Sequence, residues 1–181
     1  MKKINEIFYS LQGEGFHTGT PAIFVRFSGC NLKCSFCDTQ HEDGTKMSDE
    51  DILNKILSYP AKTVILTGGE PSLWIDDAFI DRLHDAGKYI CIETNGTNPL
   101  PGSIDWVTCS PKEGVPVQLK HIDEIKVVYT GQDVSAYKKL NASHYYLQPC
   151  SCINTKEVVN YILHHPEWRL SLQTHKLIDI Q

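Results

Sequence analysis

The sequence predicts an α/β fold: a partial, open (βα)6-type barrel with mainly parallel strands and reduced helix content, in one domain over residues 1–181. Three observations carry this. Short β-branched apolar runs alternate with helical patterns, the order that builds βαβ units and a parallel sheet. Dividing 181 residues among the eight units of a full barrel leaves about 23 per unit, below the ~30 that one βαβ unit needs, so six units or fewer fit. No linker, repeat or low-complexity tract divides the chain, and its length suits one domain.

The elements follow from residue order. Strands are expected at Ile4 to Tyr9, Ala22 to Phe27, Thr63 to Leu66, Tyr89 to Ile92, Trp106 to Cys109, Ile125 to Tyr129, Tyr145 to Leu147 and Arg169 to Leu172. Several are almost wholly apolar, as strands buried on both faces are. Ser48 followed by Asp51 forms a capping-box-like start, after which Ile52, Leu53, Ile56 and Leu57 share one helix face. Phe79, Ile80 and Leu83 form the stripe of a second helix, which Gly87 can end in a left-handed conformation. Asp133 to Leu140 carries a weaker helical pattern. A last helix starts near Thr155, with Val158, Val159, Ile162 and Leu163 inward and Pro166 beyond its end. Chemistry in such sheets gathers beyond the carboxyl ends of the strands, where the loops converge, so the polar residues after each strand are the candidates.

Composition narrows the function. Hydrophobic residues make up 41% and charged residues 22%, ordinary globular usage that argues against disorder. Seventeen basic residues against 22 acidic give a net charge of −5, which offers no broad grip on nucleic acid or an anionic membrane. No apolar run reaches the ~18–20 residues of a membrane span, and the amino terminus has no sustained apolar stretch of a signal peptide. Small-molecule chemistry in the cytoplasm is the expectation. Seven cysteines is an odd number, unlike a disulfide framework. It fits a reducing compartment, where a tight cysteine cluster reads as a metal or catalytic site.

Cys30, Cys34 and Cys37 lie in S-G-C-N-L-K-C-S-F-C-D-T, directly after the second strand. Seven cysteines in 181 residues produce a given triple by chance only about 0.01 times. Two metal sites fit. Zinc wants four ligands, and Cys91, Cys109, Cys150, Cys152 or one of the eight histidines could be the fourth. A 4Fe-4S cube can take three thiolates and leave one iron open to a substrate. The next strand ends V-I-L-T-G-G-E-P, where Gly68 and Gly69 bare the backbone for close approach of a ligand. E-T-N-G (Glu93 to Gly96), C-S-P-K (Cys109 to Lys112) and L-Q-P-C-S (Leu147 to Ser151) close three more apolar runs with polar groups. Each alone is a turn or cap, and together they line one rim. Cys91 and Cys109, inside strands, read as buried small hydrophobes.

The C-x3-C-x2-C spacing followed by G-G-E resembles the radical S-adenosylmethionine (SAM) superfamily. The resemblance implies a 4Fe-4S cluster on Cys30, Cys34 and Cys37 whose open iron takes the amino and carboxylate groups of SAM, with one-electron cleavage to a 5′-deoxyadenosyl radical. It implies that Gly68, Gly69 and Glu70 bind the SAM amino group. Ser110, Pro111, Lys112, Gln148, Pro149, Cys150 and Ser151 would contact its ribose and adenine, with Phe36 shielding the cluster. The wider set resembles the 7-carboxy-7-deazaguanine synthase family: I-N-E-I-F-Y-S-L-Q-G-E-G-F-H-T-G-T-P-A-I-F-V-R-F-S-G-C, then C-D-T, T-G-G-E-P, E-T-N-G, S-P-K and L-S-L-Q-T-H-K. It runs from Ile4 to Lys176. This implies a lyase that converts 6-carboxy-5,6,7,8-tetrahydropterin to 7-carboxy-7-deazaguanine with loss of ammonia, in queuosine and 7-deazapurine biosynthesis. It further implies Mg2+ as a cofactor, a homodimer and a reductase or flavodoxin-type electron donor.

Residue chemistry agrees with such a substrate. A pterin's pyrimidinone edge offers neighbouring N–H donors that a carboxylate accepts in pairs. Glu14, with Leu11, Gln12 and Gly13, is placed to supply it; the alternative is a solvated turn acid. Arg26, in the middle of an apolar strand, needs a carboxylate, either the substrate's or that of a structural salt bridge. Asp38 and Thr39 carry the hard oxygens magnesium prefers. The resemblance gives the ligand role to Thr39, with a helix or turn cap as the alternative. It sets Thr67 facing the substrate and His175 beside the pterin, where a late histidine is otherwise a surface residue. Two other functions compete. A glycyl-radical-enzyme activase shares the cluster and G-G-E but does not account for L-Q-G-E-G, Arg26 or Q-T-H-K. A zinc-stapled binding module would need the fourth ligand.

Overall fold

A computed structural model describes residues 1–181. In chain order the strands are β1 (Lys2–Leu11), β2 (Pro21–Phe27), β3 (Thr45–Met47), β4 (Thr63–Gly68), β5 (Tyr89–Thr94), β6 (Trp106–Cys109), β7 (Glu124–Tyr129), β8 (His144–Pro149) and β9 (Arg169–Leu170). The helices are α1 (Asp49–Leu57), α2 (Asp77–Asp85), α3 (Thr155–His164) and the single turn α4 (Thr174–Leu177). All nine strands form one sheet in the order β3-β1-β2-β4-β5-β6-β7-β8-β9. From β2 to β9 every neighbouring pair is parallel, and β1 runs antiparallel to both β2 and β3. The edges β3 and β9 do not meet, so the sheet is open. The eight expected strands are present. The unexpected β3 is Thr45-Lys46-Met47, too short and too polar for a period-2 signal.

Alternation along the strands builds two faces. Ile23, Val25 and Phe27 of β2, Val64 and Leu66 of β4, and Ile90 and Ile92 of β5 pack against Ile52 and Ile56 of α1 and Phe79, Ile80 and Leu83 of α2. Farther along, Ile125, Val127 and Tyr129 of β7 and Leu147 of β8 pack with Val158 of α3 and Trp168. The opposite face has a small apolar floor of Ala22, Phe24, Ile65 and Cys91. Above that floor stand Arg26, Thr67 and Glu93, the following inward positions of β2, β4 and β5, and beside them Lys126 of β7 and Gln148 of β8 line the same cavity. The strands are thus apolar outward and turn polar inward toward their carboxyl ends, rather than apolar on both sides.

The helices are docked by narrow stripes. The Ser48–Asp51 capping box is formed, with the Asp51 N–H donating to Ser48 Oγ at 3.1 Å. In α1 only Ile52 and Ile56 are buried, and Leu57 faces solvent. Gly87 ends α2 at φ +72°. In α3 only Val158 is buried; Val159 and Leu163, expected inward, are exposed. Asp133 to Leu140 is a 3-10 turn at Ser135–Lys139. Asp133 Oδ1 caps the Ser135 N–H at 2.8 Å, and Val134 alone there is fully buried, so no second apolar turn draws a full helix onto the sheet.

Candidate active site

Beyond the carboxyl ends of the strands lies a cavity of about 1190 Å³, larger than a single-ligand pocket of ~300–1,000 Å³. Cys30, Cys34 and Cys37 line it, on the loop between β2 and β3. The loop is tied at its base by Gly29 N–H to His41 O, 2.7 Å, and by Ser28 Oγ to Asp43 O. The end of β4 crosses this base in backbone contact: Gly69 N–H donates to Phe27 O at 3.0 Å and Glu70 N–H to Gly29 O at 2.9 Å. A Cβ on Gly69 would lie 2.0 Å from Gly29 O, and one on Gly68, at φ +128°, 2.2 Å from Phe27 O. The glycine pair is therefore required by packing of strand end on loop.

The Cys30 corner is braced from β5. Asn95 Nδ2 donates to Asn31 Oδ1 at 2.9 Å, Asn31 Nδ2 to Thr97 Oγ1 at 2.8 Å, and the Leu32 N–H approaches Cys30 Sγ at 3.4 Å. Burial pushes the Cys30 thiol up against the Leu32 N–H, and Glu70, Cys34 and Cys37 add to the rise. Three cysteine sulfurs on one loop face one cavity and are the soft donors that would hold an iron–sulfur cluster, so the residues fit that group. Cys150 also lines the cavity. Cys91 and Cys109 are buried in strands, where burial pushes each to about 12.

Among the residues expected at SAM, Gly68, Gly69, Ser110, Lys112, Gln148, Pro149, Cys150 and Ser151 line the cavity. Glu70 does not reach it. Its fully buried carboxylate accepts from Thr94 Oγ1 at 2.6 Å, Asn95 N–H at 2.7 Å and Ser72 N–H at 3.0 Å. The side chain ties the end of β5 to the turn after β4, and only backbone at G-G-E is offered to a ligand. Pro111 is likewise buried in the wall. Lys112 Nζ donates to Ser110 O and Oγ at 2.7 and 2.8 Å and sits 6.0 Å from the Phe36 ring centroid. Ser151 and Cys152 hold positive φ of 45° and 65°, backbone strain of the kind that clusters at ligand sites.

Leu11, Gln12, Gly13, Glu14, Arg26, Thr39, Thr67 and His175 line the same cavity. Arg26 Nε donates to Glu6 Oε1 of the adjacent strand at 2.7 Å, so a structural ion pair exists, made through Nε alone. Glu14 is no solvated acid: Oε2 accepts from Lys126 Nζ at 2.6 Å and Oε1 from Gln173 Nε2 at 3.0 Å. Burial alone would raise its carboxyl, but Lys126 and Gln173 hold it below the ordinary range. The Q-T-H-K segment rests on L-Q-G-E-G, with Thr174 N–H donating to Gly13 O at 2.9 Å. It also reaches the cysteine loop, where Lys176 Nζ donates to Asp38 Oδ2 at 2.7 Å. Sequence reasoning missed Lys126, and it placed Glu93 on the rim and Gln173 and Lys176 in the Q-T-H-K motif without giving any of the three a role of its own. For Lys126 the signal existed: a lone charge inside an apolar strand, the same feature that marked Arg26.

A family model described as the Radical SAM superfamily matches residues 24–125. The chain is 72% identical over 181 residues to a 7-carboxy-7-deazaguanine synthase of Bacteroides thetaiotaomicron, covering 100% of both sequences. It is 41% identical to one of Burkholderia multivorans, covering 98% of each. A crystal structure of QueE from Escherichia coli is similar at TM-score 0.77 and 33% identity, covering 94% of this chain and 93% of that one.

Proposed function

The chain belongs to the 7-carboxy-7-deazaguanine synthase family of radical SAM enzymes, and we propose that it converts 6-carboxy-5,6,7,8-tetrahydropterin to 7-carboxy-7-deazaguanine with loss of ammonia. Family membership decides against the activase and zinc-module alternatives. One observation carries the reading: the cysteine loop, the G-G strand end, Glu14 and Arg26 all face a single cavity, so a cofactor and a small substrate can meet there. When bound, the 4Fe-4S cluster and SAM supply a one-electron cleavage that yields a 5′-deoxyadenosyl radical. Cys30, Cys34 and Cys37 would hold the cluster. Gly68, Gly69, Ser110, Lys112 and Gln148 to Ser151 would hold SAM, through backbone at the glycines and through polar groups at the other two strand ends.

The chain's own groups orient the substrate. Glu14, kept ionised by Lys126, accepts the paired N–H donors of the pyrimidinone edge. Arg26, paired through Nε only, keeps the rest of its guanidinium for the substrate carboxylate, and Thr67 and His175 flank the ring. The hydroxyl of Thr39 is our candidate protein ligand for Mg2+, supported by the engagement of neighbouring Asp38 with Lys176 and Gln173. We further propose a homodimer, a flavodoxin-type electron donor and a cytoplasmic location; the seven free cysteines support a reducing compartment. No helix is long and apolar enough to cross a membrane. The test is anaerobic reconstitution with iron, sulfide, SAM and reductant, followed by mass analysis after incubation with the pterin. Formation of 7-carboxy-7-deazaguanine is expected, and its absence from a cluster-loaded, SAM-cleaving preparation would overturn the reading.

A further inference from the structure

Three side chains behind the Cys30 corner close a ring of hydrogen bonds that runs in one direction. Thr97 Oγ1 donates to Asn95 Oδ1 at 2.6 Å, Asn95 Nδ2 donates to Asn31 Oδ1 at 2.9 Å, and Asn31 Nδ2 donates to Thr97 Oγ1 at 2.8 Å. The Thr97 backbone N–H also donates to Asn95 Oδ1, at 3.0 Å. A backbone N–H can only donate. It therefore fixes which end of the Asn95 amide is oxygen, and the NH2 end must turn away from Thr97, toward Asn31 and the cysteine. There Asn95 Nδ2 approaches Cys30 Sγ at 3.9 Å, and the Leu32 N–H reaches the same sulfur at 3.4 Å. The Cys37 sulfur faces an acceptor instead, Thr39 O at 3.7 Å, so the corners of the site differ in polarity. Asn95 and Thr97 are buried, and Glu70 Oε2 accepts the Asn95 backbone N–H at 2.7 Å. The amide thus sits on a fixed base.

We propose that the Asn95 amide tunes the iron–sulfur cluster: it donates to the Cys30 thiolate and raises the reduction potential of the cube, while Asn31 and Thr97 are the positioning residues that keep the amide turned to the sulfur. This rests on the reading that Cys30, Cys34 and Cys37 hold the cluster, and not on the identity of the substrate. Reduction brings one electron from an external reductant into the cube and neither forms nor breaks a bond. It leaves more negative charge on the sulfurs, so an N–H donor stabilises the reduced state more than the oxidised one. The ring of Thr97, Asn95 and Asn31 carries no net charge, and its effect on the cube is that of an oriented dipole. The strand end E-T-N-G therefore serves the cluster from behind as well as lining the cavity through Asn95.

The experiment is an anaerobic redox titration of the reconstituted, SAM-free protein with viologen mediators, read by electron paramagnetic resonance of the reduced cluster. Asn95→Leu removes the donor at similar volume and with no change of charge. Its iron content should match that of the unsubstituted protein, and its reduction equilibrium should be about tenfold less favourable, a potential about 59 mV lower for one electron. Thr97→Val, which leaves the amide in place but loosens it, should move the potential the same way by less. A residue that only packs the loop would lower iron content and leave the potential of the remaining cluster where it was. Electron–nuclear double resonance of the reduced cluster, compared in H2O and D2O, should lose an exchangeable proton coupling in Asn95→Leu. An unshifted potential in Asn95→Leu, or in Thr97→Val if the first variant holds no iron, overturns the inference and leaves the proposed function standing. An unsubstituted protein that takes up no cluster overturns the proposed function and this inference with it.

Discussion

Glu124 shows how the closed end of the inner face is held. It is 2% exposed. Oε2 accepts the Phe16 N–H at 3.1 Å, whereas Oε1 has no partner. Burial, partly offset by Lys126, raises its carboxyl from 4.5 to about 6, because a buried charge with an unmatched oxygen disfavours ionisation. The folded chain thus holds this proton more tightly than the unfolded chain. The resulting stability is full below pH 4.5 and is lost as pH rises through about 6, a loss of about 2 kcal/mol. Glu124→Gln keeps the acceptor for Phe16 and removes the charge. Its urea midpoint should exceed that of the unsubstituted protein at pH 7 and match it near pH 4.5; a deficit at both values would contradict the assignment. Gly69 fails differently. An alanine Cβ would fall 2.0 Å from the Gly29 carbonyl oxygen, which is backbone and cannot swing aside. Gly69→Ala should cost about 1–3 kcal/mol and lower the iron bound per chain after reconstitution, and full iron content would show that the loop tolerates the shift. At this scale the sequence displayed Gly69 and Arg26 through residue type and place. It hid the inward turn of Glu70, because a carboxylate after two glycines reads the same whether it meets a ligand or two backbone N–H groups.

Elements were legible where several residues agreed on one periodicity. The parallel strands and α2 carry such agreement, and so does the start of α1, where Ser48 and Asp51 satisfy each other's backbone. Ser48→Ala should cost about 1 kcal/mol in denaturation while leaving iron content and pterin binding unchanged, since α1 packs on the outer face of the sheet. An effect on either would mean that the outer layer shapes the cavity. Where the reading missed, packing overrode the pattern. The apolar stripe of α3 is wider than its seat, because the last strand it covers, β9, has two residues. Leu163 is left 75% exposed while Val158 is fully buried. Val158→Ala should therefore destabilise by about 1–3 kcal/mol and Leu163→Ala by no more than about 0.5 kcal/mol. Equal losses would place Leu163 in the core after all. The strand β3 was invisible for the converse reason: its pairing with β1 is backbone hydrogen bonding that Thr45, Lys46 and Met47 do not advertise.

At the scale of the molecule the cavity is a joint of three segments far apart in sequence. The turn after β1 brings Gln12, Gly13 and Glu14; the loop after β2 brings the cysteines and Asp38; the segment after β9 brings Gln173 to Lys176. An open sheet leaves a gap between its edges, and this last segment crosses toward it, bonded to Gly13 at one end and to Asp38 at the other. Polar contacts of such sequence separation are not readable from local pattern, so the motifs could be found while their mutual brace could not. The two walls should also fail separately. Gly13 has no room for a side chain, because a Cβ would lie 2.1 Å from His175 Nδ1 and 2.9 Å from the His175 backbone nitrogen. Gly13→Ala must push the segment off its seat, displacing His175 and Gln173 while leaving Gly29, Gly69 and the cysteine loop in contact. With His175 beside the substrate, as proposed, misplacement by about 1 Å costs about 10²-fold in rate. Gly13→Ala should therefore lose turnover of the pterin to about that extent while keeping iron content and SAM affinity, the reverse of the pattern expected for Gly69→Ala. Parallel loss of iron in both variants would mean that the cavity is one cooperative shell and that its cofactor and substrate walls do not act independently.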